Sequence, residues 1–171
     1  MFPNFAAASA SLALSLIHCC LSFFAVLLHF FVFSTGKLAQ IINEMKIYHL
    51  QILGISEMRW TGSGRLVSEE ITVLHSGGDK HEKGVALLFD KMTEKAIISW
   101  EPVSERIITA RLRTRFTNVT IIQVYAPTEA ACDTDKDGFY EQLSQVMNTA
   151  PTYDLKIHCV SKKRAPFLFL S

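Results

Sequence analysis

An apolar run over residues 52–55 ends abruptly in Ser56 and Glu57. Such a run is typical of a buried strand, and this ending places a carboxylate at the C-terminal end of the strand. Open sheets commonly gather metals and substrates at strand ends of this kind. A second apolar run, over residues 121–124, leads into Tyr125 and a turn-forming Ala-Pro-Thr. Both runs therefore predict polar side chains at the ends of strands.

Charge is confined to the middle of this 171-residue chain, because residues 1–36 and 165–171 contain no Asp, Glu, Lys or Arg. The formal net charge is +1, which argues against a strongly basic surface for nucleic acid. The length is enough for one domain with its own core. Composition predicts three segments, namely an apolar leader over 1–34, a domain over 35–160 and an unrelated tail over 161–171.

The leader is almost continuously apolar from Phe5 to Phe33, which is long enough to cross about 30 Å of hydrocarbon. The direct physical interpretation is a transmembrane helix, and the protein would then be localised to a membrane. The first lysine, Lys37, follows this segment and weakly favours a cytoplasmic C-terminal side. A signal peptide cleaved near residues 34–36 is the alternative, although a charged start is missing.

Hydrophobic periodicity predicts helices over residues 37–49 and 136–149, the second of which is ended by Pro151. The first helix is expected to pack on a sheet through Leu38, Ile41, Ile42, Met45 and His49. Gly62 and Gly64 are expected to form a loop. Runs rich in Val, Ile and Thr predict strands over 51–56, 71–74, 84–89, 96–100, 107–112, 119–125 and 155–160. This mixture predicts an α/β (α+β) fold, half of a layered sandwich.

Five short sequence motifs occur in the order typical of one protein family. They are Thr35-Gly-Lys-Leu-Ala-Gln40, Ile52-Leu-Gly-Ile-Ser-Glu57-Met-Arg-Trp60-Thr-Gly-Ser-Gly64, Lys83-Gly-Val-Ala-Leu87, Ile122-Gln-Val-Tyr125-Ala-Pro-Thr128 and Asp137-Gly-Phe-Tyr140-Glu141. Over residues 35–157 the chain resembles the endonuclease/exonuclease/phosphatase family, and more narrowly the endonuclease domain of LINE-type retrotransposons. The similar stretch matches about the first half of a complete family domain. The resemblance implies a truncated four-layer sandwich, preceded here by the apolar leader helix.

The resemblance also implies a magnesium-dependent phosphodiester site with DNA as the partner. Glu57 matches the family's metal-binding glutamate, and Mg²⁺ prefers oxygen ligands. Tyr125 matches a tyrosine that faces the phosphate, to which its hydroxyl would donate a hydrogen bond. Arg59 and Trp60 are weaker candidates for nucleic-acid binding, by phosphate pairing and by stacking. For each of the four, simple packing or solvation at a strand end is the alternative.

The family completes this site with an Asn on its first strand, a Gly-Asp-Phe-Asn motif and a Ser-Asp-His motif. Here Cys159 is followed by Val-Ser-Lys-Lys-Arg, and His158 is the last histidine. Because catalytic groups act as a unit, the loss of several abolishes the reaction. We therefore expect an inactive DNA endonuclease fragment of retrotransposon origin. Unrelated sequence joined to such a fragment is a third interpretation of the leader, beside a transmembrane helix and a signal peptide. The alternative function is a membrane-anchored, non-enzymatic interaction protein with a small α/β domain.

One further pattern imitates a metal site. Asp133, Asp135, Asp137 and Gly138 match the start of an EF-hand calcium loop. The twelfth position is Ser144, where such a loop needs a bidentate glutamate, so the pattern lacks a main source of calcium affinity. We expect a variable acidic loop and helix at this point.

Overall fold

A computed structural model of the chain describes residues 35–162. Its helices are α1 (Thr35–Ile47), α2 (Lys91–Glu94) and α3 (Asp133–Thr149). Its strands are β1 (Ile52–Ser56), β2 (Ser63–Ser68), β3 (Ile71–Ser76), β4 (Val85–Phe89), β5 (Ile97–Ser104), β6 (Ile107–Leu112), β7 (Val119–Ala126) and β8 (Leu155–Lys162). The predicted leader, with its candidate transmembrane segment over 5–33, lies outside the described residues, as do residues 163–171. Within 35–162, none of the helices has the length and apolar character that a membrane crossing requires.

The strands form two four-stranded sheets. The first sheet has the order β1-β4-β3-β2, and all of its pairs are antiparallel. The second has the order β5-β6-β7-β8, in which β7 and β8 pair in parallel. A parallel pair needs a long crossover connection, and α3 provides it. The register places Val119 opposite Leu155 and Tyr125 opposite Ser161.

The two sheets pack face to face, with α1 on the outside of the first and α3 on the outside of the second. Side chains alternate between the faces of a strand, which explains why β4 is buried along its whole length. Its Ala86 and Leu88 pack towards α1, whereas Leu87 and Phe89 pack towards the second sheet. The α/β class and the layered arrangement predicted from the sequence are therefore confirmed.

The amphipathic face predicted for the first helix is confirmed over most of its length. Leu38, Ile41, Ile42 and Met45 are buried against the first sheet. His49 does not belong to this face, because α1 ends at Ile47 and the backbone of His49 has a φ of 53°. The helix therefore ends two residues earlier than hydrophobic spacing alone predicted.

The prediction of a loop at Gly64 is wrong, because this residue lies in β2. The strand pairs with β3 in a register that sets Gly64 opposite His75. Its side chains are exposed or half-buried throughout, so β2 has no apolar signal of its own. Other boundaries also shift, since α1 begins at Thr35, β3 continues to Ser76, β5 continues to Ser104, α3 begins at Asp133 and β8 continues to Lys162.

Candidate functional site

The structure brings the two principal candidate residues together across the sheets. Glu57 follows β1 in the first sheet, and Tyr125 lies near the end of β7 in the second. The Tyr125 hydroxyl donates a hydrogen bond of 2.7 Å to Glu57 Oε1. Glu57 is 4% exposed and Tyr125 is 6% exposed. A carboxylate and a phenol that are 68 residues apart in sequence therefore share one buried site.

The chain takes an unusual path as it leaves β1. Glu57 and Arg59 have φ values of 60° and 56°, in the left-handed region that residues other than glycine seldom occupy. Met58 between them is buried, and its N–H donates to the carbonyl of Gly84 at 3.1 Å. The N–H of Arg59 donates to the carbonyl of Lys83 at 2.7 Å. Such conformations persist where neighbouring contacts hold them, and they concentrate at functional sites.

Tyr125 keeps its proton under ordinary conditions. Burial, followed by the hydrogen bond to Glu57, raises the pKa of Tyr125 to about 12 against smaller opposing effects of Arg106 and Arg59. The phenol is therefore a hydrogen-bond donor at neutral pH. Arg106 lies over the Tyr125 ring at 5.1 Å from its centroid, and its Nη1 donates to the Tyr125 carbonyl at 3.0 Å. These contacts fix both the ring and its strand.

Arg59 and Trp60 are placed differently. Arg59 Nη2 lies 3.8 Å from Glu57 Oε2, which puts a partly exposed guanidinium beside the buried carboxylate. Trp60 packs against the core beneath α1 and makes an edge-to-face contact with His75, with the ring centroids 5.2 Å apart. The structure thus brings Arg59 to Glu57 and Tyr125, whereas the contacts of Trp60 are those of packing.

Sequence reasoning did not single out Gln123, which lies on the same face of β7 as Tyr125. Gln123 is fully buried, and its Nε2 donates to Ser56 Oγ at 3.1 Å, directly beside Glu57. A Cβ added at Gly54 would lie 2.0 Å from Gln123 Oε1, so the glycine makes room for this amide between the sheets. The available signal was a glutamine inside an otherwise apolar strand. Arg106 was also missed, because no motif surrounds it.

The residues at the site fit a magnesium ion poorly. Glu57 already accepts the Tyr125 hydrogen bond through one oxygen, and a guanidinium lies near the other. Between residues 35 and 162, no group of three or more His, Cys, Asp or Glu side chains is arranged to hold a metal. Asp133, Asp135 and Asp137 lie in the first turns of α3, where an EF-hand would need a loop.

Comparison with known proteins identifies relatives over most of the chain. Craniofacial development protein 2 of Bos taurus is 37% identical over 121 residues, which are 70% of this chain and 20% of that protein. The protein of the same name from Tragulus javanicus is 36% identical over 121 residues, 21% of its length. No protein-family model matches the chain. The chain therefore spans about a fifth of the length of these relatives.

A solved structure has a fold similar to that of this chain. The endonuclease domain of TRAS1, a telomere-specific non-LTR retrotransposon, superposes with a TM-score of 0.50 at 16% sequence identity. The match covers 74% of this chain and 53% of that domain. Together these similarities confirm the α/β fold and the resemblance to endonuclease/exonuclease/phosphatase-type proteins that the sequence indicated, and they identify craniofacial development protein 2 as a homologue of this chain.

Proposed function

We propose, from the resemblance of this chain to the endonuclease/exonuclease/phosphatase family and its homology to craniofacial development protein 2, that its domain descends from a DNA endonuclease and that residues 35–162 do not cleave DNA by themselves. In this proposal Glu57 is the ancestral magnesium ligand and Tyr125 the ancestral phosphate contact. DNA is the substrate class of the ancestral site. Arg59 is a lesser contact for the phosphate backbone.

The observation that carries the proposal is the 2.7 Å hydrogen bond between Tyr125 and Glu57. A buried strand-end glutamate costs free energy unless it has partners, so its burial beside a phenol calls for an explanation beyond solvation. The pairing joins the two positions that carry the family resemblance. An arrangement retained from a nuclease site accounts both for the burial of Glu57 beside a phenol and for the pairing of these two positions.

The chemistry of the pair explains why binding would outlast cleavage. The Tyr125 hydroxyl is a protonated donor, and Arg59 adds positive charge beside it. The guanidinium suits a nonbridging phosphate oxygen, and the single Tyr125 proton would reach such an oxygen by leaving Glu57. Hydrolysis also needs a base that takes a proton from water. Tyr125 holds its own proton up to a pH of about 12, and Glu57 is engaged with that proton.

Magnesium binding is expected to be weak for the same reason. Mg²⁺ demands octahedral oxygen coordination and gives up its water reluctantly. A single carboxylate with a guanidinium 3.8 Å away supplies little of what the ion needs. We therefore propose that the metal dependence of the ancestor has been lost from this part of the chain, together with the cleavage that depended on it.

A plasmid-nicking assay tests the proposal directly. The purified 171-residue chain is incubated with supercoiled DNA and Mg²⁺, alongside Glu57→Gln and Tyr125→Phe variants prepared in the same way. We expect all three proteins to show the same background, because a contaminating nuclease is insensitive to either substitution. Each variant is checked by circular dichroism before use.

One outcome would overturn the proposal. Magnesium-dependent nicking by the unmodified chain that disappears in Glu57→Gln would show that the site is catalytically complete. Isothermal titration with Mg²⁺ provides a second readout that does not depend on cleavage. Binding tighter than about millimolar that Glu57→Gln abolishes would show that this carboxylate still holds the ion.

A further inference from the structure

A cluster of exposed aromatic and basic side chains lies at the end of the second sheet remote from Glu57. Tyr153 is 93% exposed and Phe116 is 81% exposed, the two highest values among the large apolar side chains of residues 35–162. Exposed single apolar residues are ordinary in soluble proteins. Two aromatic rings exposed to this degree on adjoining loops are not accounted for by packing within the described domain.

Hydrogen bonds hold the loops that carry these rings side by side. Thr117 Oγ1, next to Phe116, donates to the carbonyl of Tyr153 at 2.7 Å. The N–H of Leu155 donates to the carbonyl of Asn118 at 2.9 Å. The β6–β7 loop and the segment that follows α3 therefore form one surface, in which both rings belong to ordered backbone.

Three exposed basic side chains lie on the same loop as Phe116 or on the adjoining segment of the chain. Lys95, Arg113 and Arg115 are exposed, and the Arg115 guanidinium lies 5.6 Å from the centroid of the Phe116 ring. The N–H of Arg113 donates to the carbonyl of Ala96 at 2.7 Å, which brings the Lys95 segment to the same end of the sheet. We name this surface, made of Lys95, Arg113, Arg115, Phe116 and Tyr153, the aromatic–basic patch.

The carboxylates on neighbouring segments do not neutralise the patch. Asp154 is buried and engaged by Arg111 through two hydrogen bonds of 2.6 Å and 3.0 Å. Glu94, which precedes Lys95, is paired with Arg65 of β2. The cations of the patch therefore face solvent as a group, and their charge complements an anionic partner.

We propose that the aromatic–basic patch binds single-stranded nucleic acid without sequence preference. Surfaces that do so combine cations that follow the phosphate backbone with aromatic rings on which unpaired bases stack. Exposed rings favour a single strand over a duplex, because the faces of paired bases are already stacked and inaccessible. Three cations give a modest electrostatic contribution, so binding depends on the rings as well as on charge.

This surface is separate from the site at Glu57. Tyr125 lies six residues along β7 from Val119, a span of roughly 20 Å at about 3.3 Å per residue. The aromatic–basic patch lies near the start of β7, whereas Tyr125 lies near its end. Binding there does not require the cleavage chemistry, and it can be measured whether or not the chain nicks DNA.

Fluorescence anisotropy of a labelled oligo(dT) of about 20 nucleotides measures the interaction. The full 171-residue chain is compared with a Phe116→Ala/Tyr153→Ala variant and with an Arg113→Ala/Arg115→Ala variant. A Tyr48→Ala/Tyr140→Ala variant is the matched control, because these tyrosines are 65% and 52% exposed on other parts of the surface. We expect the aromatic variant to bind roughly tenfold more weakly or worse, and the control to bind as the parent does.

The arginine variant, a duplex competitor and anionic vesicles complete the test. Log affinity falls as log salt rises, and the loss of two phosphate contacts should make this negative slope shallower by about 1.4. A duplex of the same length should compete less well than the single strand. Equal binding by all variants, equal competition by the duplex, or binding to anionic phosphatidylserine vesicles without binding to oligo(dT) would each overturn the proposal.

Discussion

The two ends of β7 each hold a buried carboxylate, but they hold it differently. At the N-terminal end, Asp154 accepts two hydrogen bonds from Arg111 and a third, of 2.9 Å, from Thr120. At the C-terminal end, Glu57 accepts a hydrogen bond from a neutral phenol, and its nearest guanidinium lies 3.8 Å away. That separation is too long for a hydrogen bond.

This difference is what we expect if Asp154 is a structural carboxylate and Glu57 is retained from a ligand site, as proposed above. Charge-assisted, bidentate pairing satisfies Asp154 and ties the loop after α3 to β6 and β7. Glu57 keeps acceptor capacity, since an ionised carboxylate offers about four acceptor positions. Under the proposed descent from a nuclease, this spare acceptor capacity is a remnant of the ancestral site. The following substitutions test this distinction.

Asp154→Asn should destabilise the protein, because it removes the charge that Arg111 pairs with and one oxygen that accepts hydrogen bonds. Pairing with Arg111 lowers the pKa of Asp154 below its usual value of 3.8. Its stabilisation is therefore complete well above pH 3.8 and is lost as the pH falls from about that value through the lower pKa of the folded state. Urea unfolding at neutral and at acid pH measures both effects.

The exposed Asp79 provides a charge-matched control for this measurement. Asp79→Asn should leave the unfolding free energy nearly unchanged at neutral pH and preserve the decline in acid. If Asp154→Asn behaves in the same way, the pairing at the N-terminal end of β7 is not structural, and the contrast between the two carboxylates fails.

Gly54→Ala should destabilise the protein by about 3 kcal/mol, the upper part of the range for overpacking. The new Cβ would overlap Gln123 Oε1 at 2.0 Å, and this amide is held by its hydrogen bond to Ser56. Thermal unfolding is a suitable measurement. Gly138→Ala is the control, since nothing lies within 4 Å of a Cβ there. This helical position should gain up to about 1 kcal/mol.

Tyr125→Phe should cost about 1 to 2 kcal/mol, because it leaves the buried Glu57 oxygen without its donor. The pKa of Tyr125, raised from 10.0 to about 12, adds a pH signature. The raised pKa contributes stability below pH 10 that is lost as the pH rises towards 12. Absorbance titration near 295 nm should show one late-titrating tyrosine that disappears in Tyr125→Phe. A parent without it would contradict the hydrogen bond.

Much of the fold could be predicted because its signals are local. The apolar face of α1 and the apolar runs of β4 and β7 each carry a hydrophobic pattern within a few residues. β2 carries none, because its side chains are exposed or half-buried and its place is set by pairing with β3. A strand defined by its neighbour cannot be identified from its own residues.

The residues of the candidate site also differ in whether a local sequence pattern identifies them. Glu57 and Tyr125 were found because each ends an apolar run inside a family motif. Gln123 was missed because its hydrogen-bond partner, Ser56, is 67 residues distant in sequence. The contact between them also depends on the close approach of the two sheets at Gly54. The contacts of Trp60 with His75 could not be predicted for a similar reason, since they depend on the pairing of β2 with β3.

The parallel pairing of β7 with β8 has a consequence for how the chain folds. The antiparallel pairs β2–β3, β5–β6 and β6–β7 join consecutive segments across short connections, so each can close early. β8 reaches its partner only after the 17-residue α3 has formed and docked. We expect its amides to gain protection from hydrogen exchange last during refolding. Until then β7 presents an unpaired edge, which makes the interval before β8 arrives the time of greatest risk of self-association.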